Sequence, residues 1–240
     1  MKKNKLAVIT IHKGDIKNLI KTINSIDKQL VFPDLHLILI HHSTSGDIKI
    51  KKKKNRKILI SKDRSLYQAM NIALKKTFNY SVIFINSGDE LSNKRSIKKI
   101  ISKLSINKCL IFKTKILHGK TQFIPRTSYF MNENYMPHPS FIRPPVIKNK
   151  KILMNEKYKI AADGLWMKQN ISIFGKKKFP DVITNFYTGG LSTNPSLRSI
   201  KLQIEFSYKE GLKELIKFIL SKIFREKYFQ IIYAWKFYKK

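Results

Sequence analysis

Short runs of β-branched and leucine residues alternate, over the first ninety positions, with stretches whose apolar residues recur every three or four. Leu6-Ala7-Val8-Ile9-Thr10-Ile11 has the continuous apolar character of a strand buried on both faces, and Gly14-Asp15 ends it with a helix-capping signal. Ile16, Leu19, Ile20, Ile23 and Ile26 then fall on one helical stripe. Leu35–Ile40 is a second buried strand, closed by the polar turn His41-His42-Ser43-Thr44-Ser45-Gly46-Asp47. A third short strand is expected over Lys57–Ile60, a helix over Leu66–Thr77, and a fourth strand over Tyr80–Ile85 ending in Asn86-Ser87-Gly88-Asp89-Glu90. This order predicts an α/β domain with a mostly parallel sheet, in which ligands gather at the carboxyl ends of the strands. The turns after strands one, two and four are the expected pocket walls.

Beyond residue 91 the pattern is less regular. Ser92–Leu104 reads as a basic helix, Cys109–Leu117 as a strand, the proline-rich stretch from Pro125 to Pro145 as a long loop, Ile160–Ile171 as a helix and Asp181–Phe186 as a last strand. From Leu197 onward the spacing is helical, with a basic and aromatic character that includes Phe206, Phe224, Phe229, Tyr233, Trp235 and Phe237.

Composition narrows the class. Of 240 residues, 42% are hydrophobic, enough for a packed core and too many for wholesale disorder. The single cysteine, Cys109, excludes a disulfide scaffold or a multi-cysteine zinc site. The net charge of +34 predicts attraction to polyanions, although the Lys- and Ile-rich composition throughout the chain accounts for part of it. Charge concentrates in Lys49–Lys57 and in the last forty residues. Nucleic acid is not the expected partner, because no RNP strand, C-x-x-C finger or clear helix-turn-helix is present. The apolar stretch after Met1-Lys2-Lys3 is too short for a secretory signal, and no run of about 18 apolar residues could span a bilayer. A cytoplasmic protein is expected, peripheral at the inner face of the membrane.

Asp63-Arg64-Ser65-Leu66-Tyr67-Gln68-Ala69-Met70-Asn71, followed by Val82-Ile83-Phe84-Ile85-Asn86-Ser87-Gly88-Asp89-Glu90, resembles the inverting family 2 glycosyltransferases, closest to their capsule, colanic-acid and O-antigen branch. His138-Pro139-Ser140-Phe141, Tyr158-Lys159-Ile160-Ala161-Ala162-Asp163 and Gly189-Gly190-Leu191-Ser192 continue the resemblance in the family's order. It implies a GT-A (Rossmann-like) fold over 1–195, with a nucleotide-sugar half at about 1–100 and an acceptor half at about 101–195. A basic amphipathic helical tail would occupy 196–240.

The same resemblance implies a nucleotide-diphosphate sugar as donor, a glycan or polyprenyl-linked acceptor, and a divalent cation (Mn or Mg). Such a cation needs hard oxygen ligands from a strand-end turn, and Asp89 is the carboxylate there. Asn86 offers a carbonyl oxygen, and Gly88 allows close backbone approach. By similarity Asp163, set among small apolar residues, is the base that deprotonates the acceptor hydroxyl. His138 is placed against the diphosphate or the acceptor. Tyr67 and Asn71, one helical turn apart, either line the donor pocket or brace the helix. Asp63 either holds the nucleoside or caps a helix. His41 stands where family members carry an acid that contacts the base, and Thr10 and His12 at the end of the first strand complete the expected donor set. The basic tail over 200–240 suits an anionic membrane surface. The competing expectation is a catalytically degenerate polyanion-binding module, favoured by the thinned acidic motif at 86–89 and by His41.

Overall fold

The computed structural model describes residues 4–44, 46, 48–132, 138–146, 152–188, 196–224 and 237–239. The first half follows the sequence closely. Strands β1 (Leu6–His12), β2 (Leu35–His41), β3 (Arg56–Ser61) and β4 (Ser81–Phe84) lie parallel in the order β3-β2-β1-β4. Register pairs Ile9 with Leu37 and with Phe84, bringing the outgoing ends of β1, β2 and β4 to one edge.

Strand alternation explains the two-sided burial of β1. Ala7, Ile9 and Ile11 face a cluster with Tyr67, Met70 and Leu74 of helix α2 (Leu66–Lys76). Leu6 and Val8 point the other way, against Ile97 and Ile100 of helix α3 (Ser96–Lys103). Helix α1 (Ile16–Asp27) sits over Ile38 and Ile40 through Leu19 and Ile23, and Asp15 caps it by accepting from Lys17 N at 2.8 Å. Helix α2 is capped by Ser65, which accepts from Gln68 N at 3.2 Å, so Asp63 is not the capping residue.

The second half departs from expectation in composition more than in position. The two-residue strand β5 (Glu90–Leu91) follows directly on the turn after β4. Strand β6 (Cys109–His118) carries β8 (Phe141–Arg143) and β7 (Thr121–Pro125) antiparallel on one side, and β9 (Lys176–Tyr187) parallel on the other. Most registered residue pairs in the sheet are parallel, as the repeating β/α pattern predicts, but the antiparallel pairs cluster here.

The stretch from Pro125 to Pro145, expected as a loop, holds helix α4 (Thr127–Asn132), a 3₁₀ turn over His138–Ser140 and strand β8. Pro125 ends β7 and Pro144 and Pro145 follow β8, at boundaries where a missing N–H costs little, while Pro139 lies within the 3₁₀ turn. Helix α5 (Ala162–Phe174) follows, and its Trp166 packs edge-on against Phe84 and Phe141 with ring centroids 6.0 and 5.5 Å away.

The tail is helical over α6 (Leu197–Phe206) and α7 (Tyr208–Phe224), but Phe237–Lys239 forms strand β10, antiparallel to β7. An aromatic segment there supplies the ladder partner that the β7 edge otherwise lacks. The Gly189-Gly190-Leu191-Ser192 motif, Phe229, Tyr233 and Trp235 lie outside the described residues.

Candidate active site

The turn after β4 is held from below by one hydroxyl. Thr22 Oγ1, fully buried on α1, donates toward the carbonyl of Asp89 at 2.7 Å and that of Asn86 at 3.2 Å, and accepts from Gly88 N at 3.0 Å. Gly88 has φ +104°, a left-handed conformation that L side chains rarely adopt, while a Cβ there would meet only Asn18 at 3.9 Å. Backbone conformation rather than lack of space therefore calls for glycine. Asp89 emerges from this turn almost wholly buried. Burial pushes its carboxyl up to about 8, against the opposing effects of the Tyr187 backbone N–H and the Lys21 ammonium.

A cavity of about 570 Å³ opens above this turn. Its walls bring together, from four separate segments, Asn86, Gly88 and Asp89, Tyr67 of α2, His138, and Asp163 of α5. Two carboxylates 74 positions apart thus share one cleft, with a histidine between them. His138 Nε2 lies 3.9 Å from Asp89 Oδ2, and its Nδ1 lies 3.9 Å from Asp163 Oδ2, too far for hydrogen bonds but close enough for strong electrostatic coupling. Burial lowers the His138 pKa and the Asp163 charge opposes that shift. Asn86 Nδ2 lies 3.2 Å from His138 Nε2.

The 3₁₀ turn that carries His138 is anchored by buried hydroxyls. Ser140 Oγ accepts from Thr114 Oγ1 at 2.7 Å and donates to the Phe112 carbonyl at 2.9 Å, and Thr114 also meets Thr184 Oγ1 at 2.9 Å. Strands β6 and β9 therefore set the position of the histidine. Asp163 is placed by the start of α5. Ala161 enters the helix with φ +63°, the one non-glycine residue with positive φ among those described, and Asp163 Oδ1 accepts from Gly164 N at 3.0 Å and from the Tyr67 hydroxyl at 3.4 Å. A strained residue two positions before a pocket carboxylate is a feature of functional sites.

The structure separates Tyr67 from Asn71, which the sequence leaves as a pair. Tyr67 lines the cavity, whereas Asn71 is buried and turned to residues 152–156. Its Nδ2 donates to the Met154 carbonyl at 2.9 Å and to Glu156 Oε1 at 2.8 Å, and its Oδ1 accepts from Met154 N at 2.8 Å. With every polar atom so engaged, Asn71 braces the approach to α5 and does not line the cavity.

Four further expected donor residues lie outside the cavity wall. Thr10 is fully buried, its hydroxyl 3.1 Å from His36 Nε2. His12 is buried with Nδ1 2.9 Å from Ser87 Oγ, its Nε2 has no hydrogen-bond partner, and burial lowers its pKa. His41 Nδ1 lies 2.7 Å from Ser43 Oγ, and its Nε2 lies 3.0 Å from the carbonyl of Asp63, tying the ends of β2 and β3 together. Asp63 is likewise buried. His41 is buried and His42 exposed, as neighbours at a strand end should be.

Residues that sequence reasoning overlooks complete the mouth. Lys21 sits 3.5 Å from Glu90 Oε2 and 3.1 Å above the Tyr187 ring, and the Tyr187 hydroxyl donates to the same Glu90 oxygen. Tyr187 and Thr188 follow from the outgoing end of β9, and Gln203 reaches the cavity from α6. A buried Thr in the first helix and a Lys facing a strand-end acid carry no motif, so only the assembled fold reveals them.

Among the described residues no group of three or more His, Cys, Asp or Glu side chains could hold a metal ion. A cation bound in part by a diphosphate needs fewer protein ligands, and here the donor set suits a hard one. Asp89 presents a carboxylate whose charge is disfavoured by burial, and Asn86 Oδ1 is a buried oxygen with no hydrogen-bond partner in the same turn.

No protein-family model matches the sequence, and no curated protein matches it. Solved structures do match. S. aureus TarS residues 1–349 in complex with UDP superposes with a TM-score of 0.61 at 18% identity, over 93% of this chain and 73% of that one. The same protein in complex with UDP-GlcNAc gives 0.62 at 17% identity, over 93% and 74%. The mannosyltransferase PcManGT from Pyrobaculum calidifontis, in complex with GDP-Man and Mn2+, gives 0.60 at 10% identity, over 90% and 65%. The chain therefore has the α/β fold of the GT-A glycosyltransferases.

Proposed function

We propose that this protein is an inverting glycosyltransferase that moves a sugar from a nucleotide-diphosphate donor to a hydroxyl of a glycan or lipid-linked acceptor, in assembly of a bacterial surface polysaccharide. The observation that carries this reading is the convergence of Asp89 and Asp163 on one cavity with His138 between them. The likeness to structures holding UDP-GlcNAc and GDP-Man supports a nucleotide sugar as donor.

In this reading Asp163, at the open side of the cleft, accepts the proton of the acceptor hydroxyl as its oxygen attacks the anomeric carbon. The new glycosidic bond forms on the face opposite the departing diphosphate, which leaves with the electron pair of the broken bond. Lys21 and Lys159, both on the cavity wall, lie where they can offset the developing negative charge. Asp89 and Asn86 Oδ1 are the residues that would hold a divalent cation (Mn or Mg). When bound, that ion supplies charge neutralisation at the diphosphate. His138 orders the space between the carboxylates and, neutral at its lowered pKa, leaves Asp163 free to take up a proton.

The test is turnover of a panel of nucleotide sugars by the wild type and by D163N. Transfer by the wild type with loss of transfer in D163N is the expected result. Equal turnover by the two removes the base assignment. Steeply salt-dependent nucleic-acid binding without nucleotide-sugar binding would instead favour the polyanion-binding module.

A further inference from the structure

Helix α7 carries an apolar face that nothing in the described fold covers. Leu212, Ile216, Ile219 and Ile223 recur at steps of four, three and four residues, one stripe of an α-helix, with Leu215 and Phe224 at its margins. Their exposures run from 39% to 64%, and all six lie on one seventeen-residue helix, whereas the other exposed apolar side chains are spread over many elements. Scattered exposed leucines need no explanation, but a continuous stripe does.

The face is not the one that packs α7 onto the body. Contact with α6 runs through Gly211, where a Cβ would meet Ile204 Cγ1 at 2.2 Å, so the two helix backbones approach closely on that side. Helix α6 is in turn seated on the domain by the buried Ile200 and reaches the cavity with Gln203. The helical pair thus projects from the domain beside the candidate active site, with its apolar stripe exposed.

Charge and area decide what covers it. Lys209, Lys213, Lys217 and Lys222 lie along the same helix, and the chain as a whole carries +34. A second copy would bring +34 against +34. Moreover, a 17-residue helix is roughly 25 Å long and about 10 Å wide, and offers only about 250 Å², against roughly 800 Å² per partner in a stable dimer. An anionic bilayer satisfies both features, since an amphipathic helix with lysines beside its apolar face lies in the headgroup boundary.

We propose that α7 docks the protein on an anionic bilayer through the Leu212–Ile216–Ile219–Ile223 stripe and holds the cavity mouth next to the membrane surface. This rests on the transferase reading only for its purpose, delivery of a lipid-linked acceptor; the docking itself stands on the helix.

The full chain would be sedimented with vesicles of phosphatidylcholine alone and of phosphatidylcholine with phosphatidylglycerol at a ratio of about 7:3. Wild type is expected to partition onto the anionic vesicles. The I216S/I219S/I223S variant should partition about tenfold less or worse, whereas I58S/I60S, which removes exposed apolar side chains from β3, should stay within about twofold. Partition of the triple variant equal to wild type would mean that charge alone holds the protein to lipid and overturns the proposal. So would loss of a dimer in light scattering with partition unchanged. An environment-sensitive dye on I219C reads the same contact without the triple substitution, because the native Cys109 is buried: blue-shifted emission on anionic vesicles is expected, and unshifted emission refutes it. The melting shift with UDP or GDP and Mn2+ is recorded in parallel. Loss of that shift with partition retained would count against the transferase reading and not against the docking.

Discussion

The two halves of the sheet arrive at the same cavity by different routes. On the β3-β2-β1-β4 side the turn carrying Asn86, Gly88 and Asp89 follows from its local segment: an apolar strand runs out and a polar turn follows at the ligand edge. On the β6-β8-β9 side nothing local suffices. His138 is placed by Thr114, Ser140 and Thr184 from three segments, and Asp163 by a strained alanine and by a helix braced from Asn71 some ninety residues earlier. One half presents its chemistry on a strand-end turn latched by a single helix hydroxyl, and the other through side-chain hydrogen bonds drawn from several segments.

The sharpest contrast is at the two carboxylates. D163N should lower transfer by about 10²–10⁴-fold, the usual range for a lost general base, with a cooperative melt retained. A drop below tenfold, read in initial rates, would make Asp163 a bystander. At the other extreme of the molecule, His36 belongs wholly to the parallel half, buried beside Arg56, and burial followed by the Arg56 charge lowers its pKa to about 3. The unfolded imidazole takes a proton near 6.5, so between about 6.5 and 3 the unfolded state binds more protons and stability falls with falling pH. That loss is at most roughly 5 kcal/mol, and H36Q should flatten the pH dependence of denaturant midpoints across the same window. Identical slopes for the two proteins would contradict it.

Smaller effects separate the halves further. T22V removes the hydroxyl that holds the Asn86–Asp89 turn and should cost about 1–3 kcal/mol, with weaker donor binding in calorimetry. N71A, acting on the second half, should cost a similar amount in stability but lower kcat rather than donor affinity, because it loosens the approach to α5. Equal donor affinities for T22V and wild type, or a donor-binding defect in N71A, would erase the division. Y67F deletes one long bond of 3.4 Å to Asp163 and should change turnover only about two- to fivefold.

What the sequence discloses follows the same line. The first four strands, the helices between them and the turn ending in Asp89 are legible because apolar period and capping residues act within a dozen positions of each other. The pairing of β9 alongside β6, the strand made by Phe237–Lys239 and the elements inside the proline-rich stretch are decided by partners far away in the chain, which periodicity does not record. Within the site, Asp89, Asp163, His138 and Tyr67 were findable from motif order and do share a cavity. Thr10 and Asn71 carry suitable chemistry too, yet the fold spends their polar atoms on His36 and on residues 152–156. Thr22, Lys21 and Tyr187 leave no linear trace, since their roles exist only once α1 and β9 meet the turn after β4.

In the proposed reaction Asp89 and Asp163 serve one reacting centre in different capacities, one on the diphosphate side and one on the acceptor side. The melting temperatures of wild type, D89N and D163N with UDP or GDP, each with and without Mn2+, separate the two roles. A ligand that binds only the folded state raises that temperature. A Mn2+-dependent rise is expected in wild type, the same rise in D163N, and none in D89N. A full rise in D89N, or its loss in D163N alone, would contradict it.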